Sequence, residues 1–127
     1  MKLIKNIKPE FLDERGGITK LLDDGKTNIK STLLITSKAG SVRSNHYHKK
    51  DAHWIYMISG KMAYYEKPVK GRARVKQVIV SAGDMVYTPP MAIHGTKFLK
   101  DSVFIALSIK SRSQKAYEKD TIRVKFI

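Results

Sequence analysis

RSNHYHKKDAHWIYMISG, residues 43–60, carries three of the chain's four histidines within eight positions. His46 and His48 are one residue apart. On a β-strand that spacing sends both side chains to one face, about 6.6 Å apart along the backbone. The turn Lys49-Lys50-Asp51-Ala52 follows, and His53 opens a second run. In that run His53, Ile55 and Met57 alternate with Trp54, Tyr56 and Ile58. Period-two alternation closed by Gly60 reads as a half-buried strand. If the turn pairs the two strands antiparallel, His53 lies beside His46 and His48. The fourth histidine, His94, follows the Pro89-Pro90 turn, and a closed β architecture could bring it to the same interior point.

The rest of the chain repeats this pattern. Short alternating runs over 2–8, 17–22, 29–38, 42–48, 53–59, 61–68, 73–80, 85–88, 92–99, 102–110 and 121–126 are separated by Gly and Pro punctuation such as Ala39-Gly40, Ser59-Gly60 and Ala82-Gly83. In 102–110, Val103, Ile105, Leu107 and Ile109 share a face opposite Phe104 and Ala106. Only 113–120 reads as a short helix or turn. No repeat, low-complexity tract or linker interrupts the series. Many evenly spaced strands in one domain, 1–127, point to an all-β sandwich or small jelly-roll barrel.

Composition narrows the chemistry. The chain has 127 residues and no cysteine, which removes disulfide frameworks, thiolate metal sites and thiol nucleophiles. No signal-like start and no membrane-length apolar run is present, so a cytoplasmic protein with no membrane partner is expected. The net charge is +14, from 25 Lys and Arg against 11 Asp and Glu. The cations are scattered and no helix-turn-helix or zinc-finger spacing accompanies them. The expected partner is therefore a small anionic substrate rather than a nucleic acid. Asp51 and Asp84 fall in turns and are expected to be solvated.

Imidazole suits zinc, copper, iron and nickel. Four neutral ligands would leave the full charge of a divalent ion uncompensated, making it a strong Lewis acid. One HxH is weak evidence, but all four histidines of a chain on one plausible site is much less expected by chance.

The spacing of these histidines resembles a known family. Gly40, His46, His48, His53 and Gly60 follow the first motif of the cupin superfamily, G-x5-H-x-H-x3–4-E-x6-G, with His53 where the motif has glutamate. Gly83, Pro89 and His94 follow the second, G-x5-P-x-G-x2-H-x3-N, with Met91 in place of glycine and Phe98 in place of asparagine. The resemblance implies a single-domain cupin β-barrel. It also implies one divalent transition metal (Fe, Mn, Ni, Zn or Cu) on His46, His48, His53 and His94. Because cupins are commonly dimers, it implies a homodimer, for which the first and last strands are plausible edges.

A narrower resemblance lies beside it. FLDERGGI (11–18) looks like the F-x-D-x-R-G opening of cupin-fold nucleotide-sugar epimerases and ketoisomerases. YEKDTIRVKF (117–126) looks like the Y-x-x-x-D-x-I-R-x-x-x-F ending of dTDP-hexose ketoisomerases, with one residue fewer between Tyr117 and Asp120 and between Arg123 and Phe126. RSNHYHK resembles their R-G-x-H-x-H-K, with Ser44 for glycine. Those enzymes work without metal, and the resemblance implies His46 as a catalytic base, His48 as its partner and Arg43 as a phosphate or sugar contact. Strand alternation points Arg43 away from His46, and Arg15 reads as a turn residue in an ion pair. A tyrosine could return the proton, with Tyr47, Tyr56, Tyr64, Tyr65 and Tyr87 as candidates. His53 favours the metal-binding alternative, since a metal-free base has no need of it. The expected function is a metal-binding isomerase or epimerase of sugar or nucleotide-sugar metabolism. A non-haem dioxygenase, a metal-free ketoisomerase and a non-catalytic sugar-binding cupin are the alternatives.

Overall fold

The computed structural model describes residues 1–127 as twelve strands and one helix. The strands are β1 (Lys2–Ile4), β2 (Phe11–Asp13), β3 (Gly16–Ile18), β4 (Ser31–Ser37), β5 (Val42–His48), β6 (His53–Ser59), β7 (Lys61–Pro68), β8 (Lys76–Ser81), β9 (Met85–Thr88), β10 (Ala92–Phe98), β11 (Ser102–Ser108) and β12 (Thr121–Arg123). The helix α1 (Gln114–Asp120) precedes β12. Two five-stranded antiparallel sheets, ordered β1-β9-β6-β11-β4 and β12-β5-β10-β7-β8, face each other, and β2–β3 forms a separate hairpin. This is the jelly-roll arrangement expected from the strand pattern.

Alternation decides what each sheet buries. Ile55 and Met57 of β6 and Phe104 and Ala106 of β11 point inward. They meet Met62, Tyr64, Val80, Val86 and Phe98 in one core cluster. Val103, Ile105 and Leu107 lie on the outer face and stay half-buried. Phe98 and Phe104 stack across the two sheets with ring centroids 5.5 Å apart. Burying side chains of this size stabilises the fold by roughly 1.5–3 kcal/mol each. The β6–β7 connection is Gly60 alone, at φ +99°, and a Cβ there would meet the Asp101 carbonyl oxygen at 2.5 Å. Only glycine satisfies both the backbone conformation and this approach.

Three expectations are corrected. First, β5 and β6 do not pair. The turn 49–52 crosses from one sheet to the other, so β5 pairs β10 and β12, while β6 pairs β9 and β11. Second, Asp84 is not solvated. It is 2% exposed and accepts from Lys5 Nζ (2.7 Å), the Asn6 amide (2.7 Å) and the Ser81 amide (2.8 Å), fastening the chain after β1 to the β8–β9 turn. Third, the run 17–22 yields only β3, paired with β2. The run 2–8 stops at Ile4, because Asn6 takes φ +50° to reach Asp84.

The strands give the molecule two distinct ends. At one, β5, β7, β9 and β11 finish, and the connections are 49–52, 69–75, 89–91 and 109–120. At the other lie 38–41, Gly60, 82–84 and 99–101. The histidines cluster at the first.

Candidate functional site

His46 and His48 project inward from β5, and His94 of β10 is the direct register partner of His46. His53 approaches from the opposite sheet, at the start of β6, between Thr88 of β9 and Ser108 of β11. The four rings converge, with centroids 4.7 Å apart for His46–His48 and His46–His94, 5.2 Å for His53–His94 and 5.6 Å for His48–His53. One ring nitrogen each of His46, His48 and His94 lie within 4.8 Å of one another. A second such group joins His48, Asp51 and His53. His53 thus reaches the pair as expected, but across the interior rather than along one sheet.

The second nitrogen of each ring is partly accounted for. His94 is 0% exposed, and its Nδ1 donates to the Ala92 carbonyl at 2.9 Å. That bond leaves an Nε2 lone pair directed inward, fully buried and without a partner. Burying such an acceptor costs about 1–3 kcal/mol unless something fills the position. His48 Nδ1 faces the Thr121 hydroxyl at 3.2 Å and Asp120 Oδ2 at 3.5 Å, so its Nε2 is the free atom. An orphaned buried nitrogen among three more imidazoles fits a divalent transition metal, and the backbone and carboxylate partners are those that orient metal-bound histidines.

Electrostatics keep the rings neutral. Burial first, then His94, His48, Arg123 and Arg112, push His46 down to about 3. Burial and His94 take His48 to about 4 against the opposing pull of Asp120. Burial and the other three histidines hold His53 well below its ordinary value, and burial lowers His94. All four therefore offer lone pairs at neutral pH.

His46, His48 and His53 line a cavity of about 690 Å³, and His94 lies buried behind them. The cavity's deep wall is apolar, from Leu33, Ile35, Ile55, Met62 and Phe104. Its mouth carries Lys30, Lys49, Lys50, Lys110, Arg112 and Lys119. Asp51 is also at the mouth, correcting its expected solvation. It accepts from the Lys110 amide at 3.1 Å, and burial raises its carboxyl above the usual range.

Arg43 is a further correction. Alternation should turn it away from His46, but Ser44 (φ +71°) and Asn45 (φ +55°) form a bulge where the β5–β10 register shifts. The extra residue flips the alternation. Arg43 then pairs with inward-facing Thr96 and lines the cavity, its guanidinium donating to Ser37 Oγ (2.5 Å) and the Thr36 carbonyl (3.0 Å). Arg15, by contrast, makes only the local ion pair with Asp13 (2.7 Å) and is 79% exposed.

None of the five candidate tyrosines lines the cavity. Tyr64 is in the core, where its hydroxyl donates to Glu66 at 2.6 Å. The tyrosine at the site is Tyr117 of α1. Its ring centroid is 5.7 Å from His48 and 6.4 Å from His46, and the Arg112 guanidinium lies 4.2 Å over it. Asp120, three residues on, accepts from the amides of Lys50 (2.8 Å) and Asp51 (3.1 Å) and fixes α1 against the histidine turn. The YEKD stretch contained both residues, though nothing in it set Tyr117 against the other tyrosines.

The departures from the motifs have structural explanations. Met91 and Ser44, each standing for glycine, both keep the positive φ that glycine would favour (+59° and +71°). Phe98, standing for asparagine, is a core residue at 1% exposure.

The fold has close structural counterparts. A variant of the sugar 3,4-ketoisomerase QdtA from Thermoanaerobacterium thermosaccharolyticum, in complex with TDP-4-keto-6-deoxyglucose, superposes with a TM-score of 0.76. Its identity is 20%, over 96% of this chain and 86% of that one. A 3,4-ketoisomerase from Helicobacter canadensis gives 0.78 at 18% identity, over 96% and 89%. The dTDP-4-dehydrorhamnose 3,5-epimerase from Sulfolobus tokodaii gives 0.76 at 19%, over 91% and 73%. At these identities the likeness is one of fold. No curated protein sequence is detectably similar. A sequence model of the cupin domain, however, matches residues 33–110, well over half the chain and the whole stretch that supplies the four histidines. By fold, motif and sequence model alike, the protein belongs to the cupin-domain family.

Proposed function

We propose that the protein is an isomerase or epimerase of sugar or nucleotide-sugar metabolism that holds one divalent transition metal on His46, His48, His53 and His94. The observation that carries this reading is the buried, unpartnered Nε2 of His94 among three further neutral imidazoles. A divalent cation held there supplies Lewis-acid stabilisation of negative charge on a substrate oxygen. The chain's own residues do the rest. The lysines and arginines of the mouth attract an anionic group such as a diphosphate. Leu33, Ile35 and Phe104 exclude water from the deep wall. The Tyr117 hydroxyl holds a proton opposite the imidazoles, where it could return it to a substrate carbon. The sugar ketoisomerases and the epimerase that share the fold support the substrate class.

Two measurements test the reading. Protein purified without chelator or affinity metal should carry a stoichiometric transition metal, lost in His48→Ala. Incubation with TDP-4-keto-6-deoxyglucose in heavy water should introduce deuterium at the carbon beside the ketone. Metal without exchange would retain the site and sink the substrate class.

A metal-free ketoisomerase with His46 as base is the second reading. The Asp120–His48 contact and Tyr117 favour it, as they resemble an oriented base and an acid. A conjugate acid of about 3 makes His46 a weak proton acceptor at neutral pH, which counts against it. Full turnover after exhaustive chelation would decide for it.

The expected homodimer belongs to the same proposal. The outer face of the β1-β9-β6-β11-β4 sheet presents Leu34 at 70% exposure and the Trp54–Tyr87 ring pair, a surface suited to a second copy. Sedimentation velocity distinguishes one chain from two.

A further inference from the structure

The histidine end has a second basic region that the cavity does not use. The β7–β8 hairpin carries Lys67, Lys70, Arg72, Arg74 and Lys76, none of which lines the cavity. Residues 67–81 contain no Asp or Glu, the adjacent Glu66 is taken up by the Met1 amine at 2.9 Å, and none of the five cations is in an ion pair. Apolar side chains sit among these cations. Val75 is 47% exposed and Met91 is 37% exposed. The Val69 amide donates to the Met91 carbonyl at 3.0 Å, which brings the hairpin base and the Pro89-Pro90-Met91 turn together. Met91 holds φ +59° at the tip of that turn. A partly exposed thioether side chain held in a left-handed conformation next to the base of a basic hairpin is an uncommon arrangement that a surface contact would explain.

We propose that this flank docks the protein on an anionic lipid surface. The cations meet the headgroups, and Met91 and Val75 reach the boundary between headgroup and acyl chain. Such docking needs no spanning segment, so the lack of any helix long and apolar enough to cross a membrane does not oppose it. It does depart from the sequence-level expectation of no membrane partner. Lipid suits the flank better than nucleic acid. Residues 67–81 and 89–93 contain no aromatic side chain on which a base could stack, the His94 ring beyond them is fully buried, and no helix is present there to enter a groove. Because the hairpin and the cavity mouth share one end of the molecule, docking turns the mouth toward the headgroup layer. The inference stands apart from the chemistry in the cavity.

The test is flotation of the intact protein with vesicles of phosphatidylcholine alone, or of phosphatidylcholine and phosphatidylglycerol at about 2:1. Binding to the mixed vesicles only, weakening as salt is raised, is the expected result. The variant Lys70→Glu/Arg72→Glu/Arg74→Glu should lower the partition coefficient about a hundredfold. Met91→Asn, which tolerates the left-handed backbone, should lower it several-fold. Both should keep the wild-type thermal midpoint. If the triple variant fails to fold, Arg72→Glu alone, beside the exposed hairpin turn, should still give a drop of about fivefold. Mixed vesicles that leave the protein unbound, or variants that bind as wild type does, would overturn the proposal. So would an oligonucleotide or an acidic protein that binds this flank in place of vesicles.

Discussion

The connections at the histidine end, 49–52, 69–75, 89–91 and 109–120, hold nine Lys and Arg against three Asp and Glu. Those at the other end, 38–41, Gly60, 82–84 and 99–101, hold two of each. The balanced end is also the satisfied one. Asp84 takes three donors, Asp101 accepts from the Ala39 amide at 2.9 Å, and Ser102 Oγ accepts from the Lys61 amide at 3.1 Å. The basic end leaves a buried nitrogen unpaired and crowds four imidazoles together. One set of strands thus ends in a closure that stabilises and in a mouth that binds. Charge imbalance and unmet hydrogen-bonding capacity coincide where a ligand would compensate both.

That contrast can be broken in four ways. The largest effect should come from His94→Ala. It removes the one fully buried lone pair and should abolish measurable binding of a divalent metal, read by titration calorimetry with Co(II), while the thermal midpoint of the metal-free protein changes little. Next comes acid. His46 and His48, at about 3 and about 4, lie below their ordinary value of 6.5, so the unfolded chain binds more protons than the folded one between those limits. The stability of the metal-free protein should be full above about pH 6.5 and fall as the pH drops toward 3. The loss should be several kcal/mol in chemical denaturation. A flat profile would mean that the rings are not held neutral by burial. At the other end, Asp84→Ala should cost about 2–3 kcal/mol by leaving the Asn6 and Ser81 amides unpaired, with metal binding untouched. Smallest of all, Lys38→Glu should leave thermal midpoint and metal affinity at wild-type values, whereas Lys50→Glu at the mouth should weaken binding of an anionic ligand several-fold.

Sequence and structure agree where local periodicity sufficed. β5, β6, β7 and β9 have the bounds that alternation and glycine punctuation imply, and the four histidines meet as their spacing implied. Disagreement begins where a residue's position depends on a distant partner. Nothing local says that the turn 49–52 changes sheets, because Lys-Lys-Asp-Ala suits a hairpin equally well. The bulge at Ser44 and Asn45 is invisible to an alternation count, yet one extra residue brings Arg43 into the cavity. Asp84 reads as a surface turn residue until the chain after β1, some eighty positions away, arrives with Lys5 and Asn6. Tyr117 was hidden by its setting in a polar segment with no strand period, and only docking of α1 through Asp120 puts it over the histidines.

The central claim is that the unpaired His94 nitrogen marks a metal site. Elemental analysis of protein made without chelator or affinity metal tests it most directly. One transition-metal ion per chain, displaced by chelator and regained on adding the metal back, is the expected result. Protein that stays metal-free after reconstitution, with all four histidines intact, would contradict it.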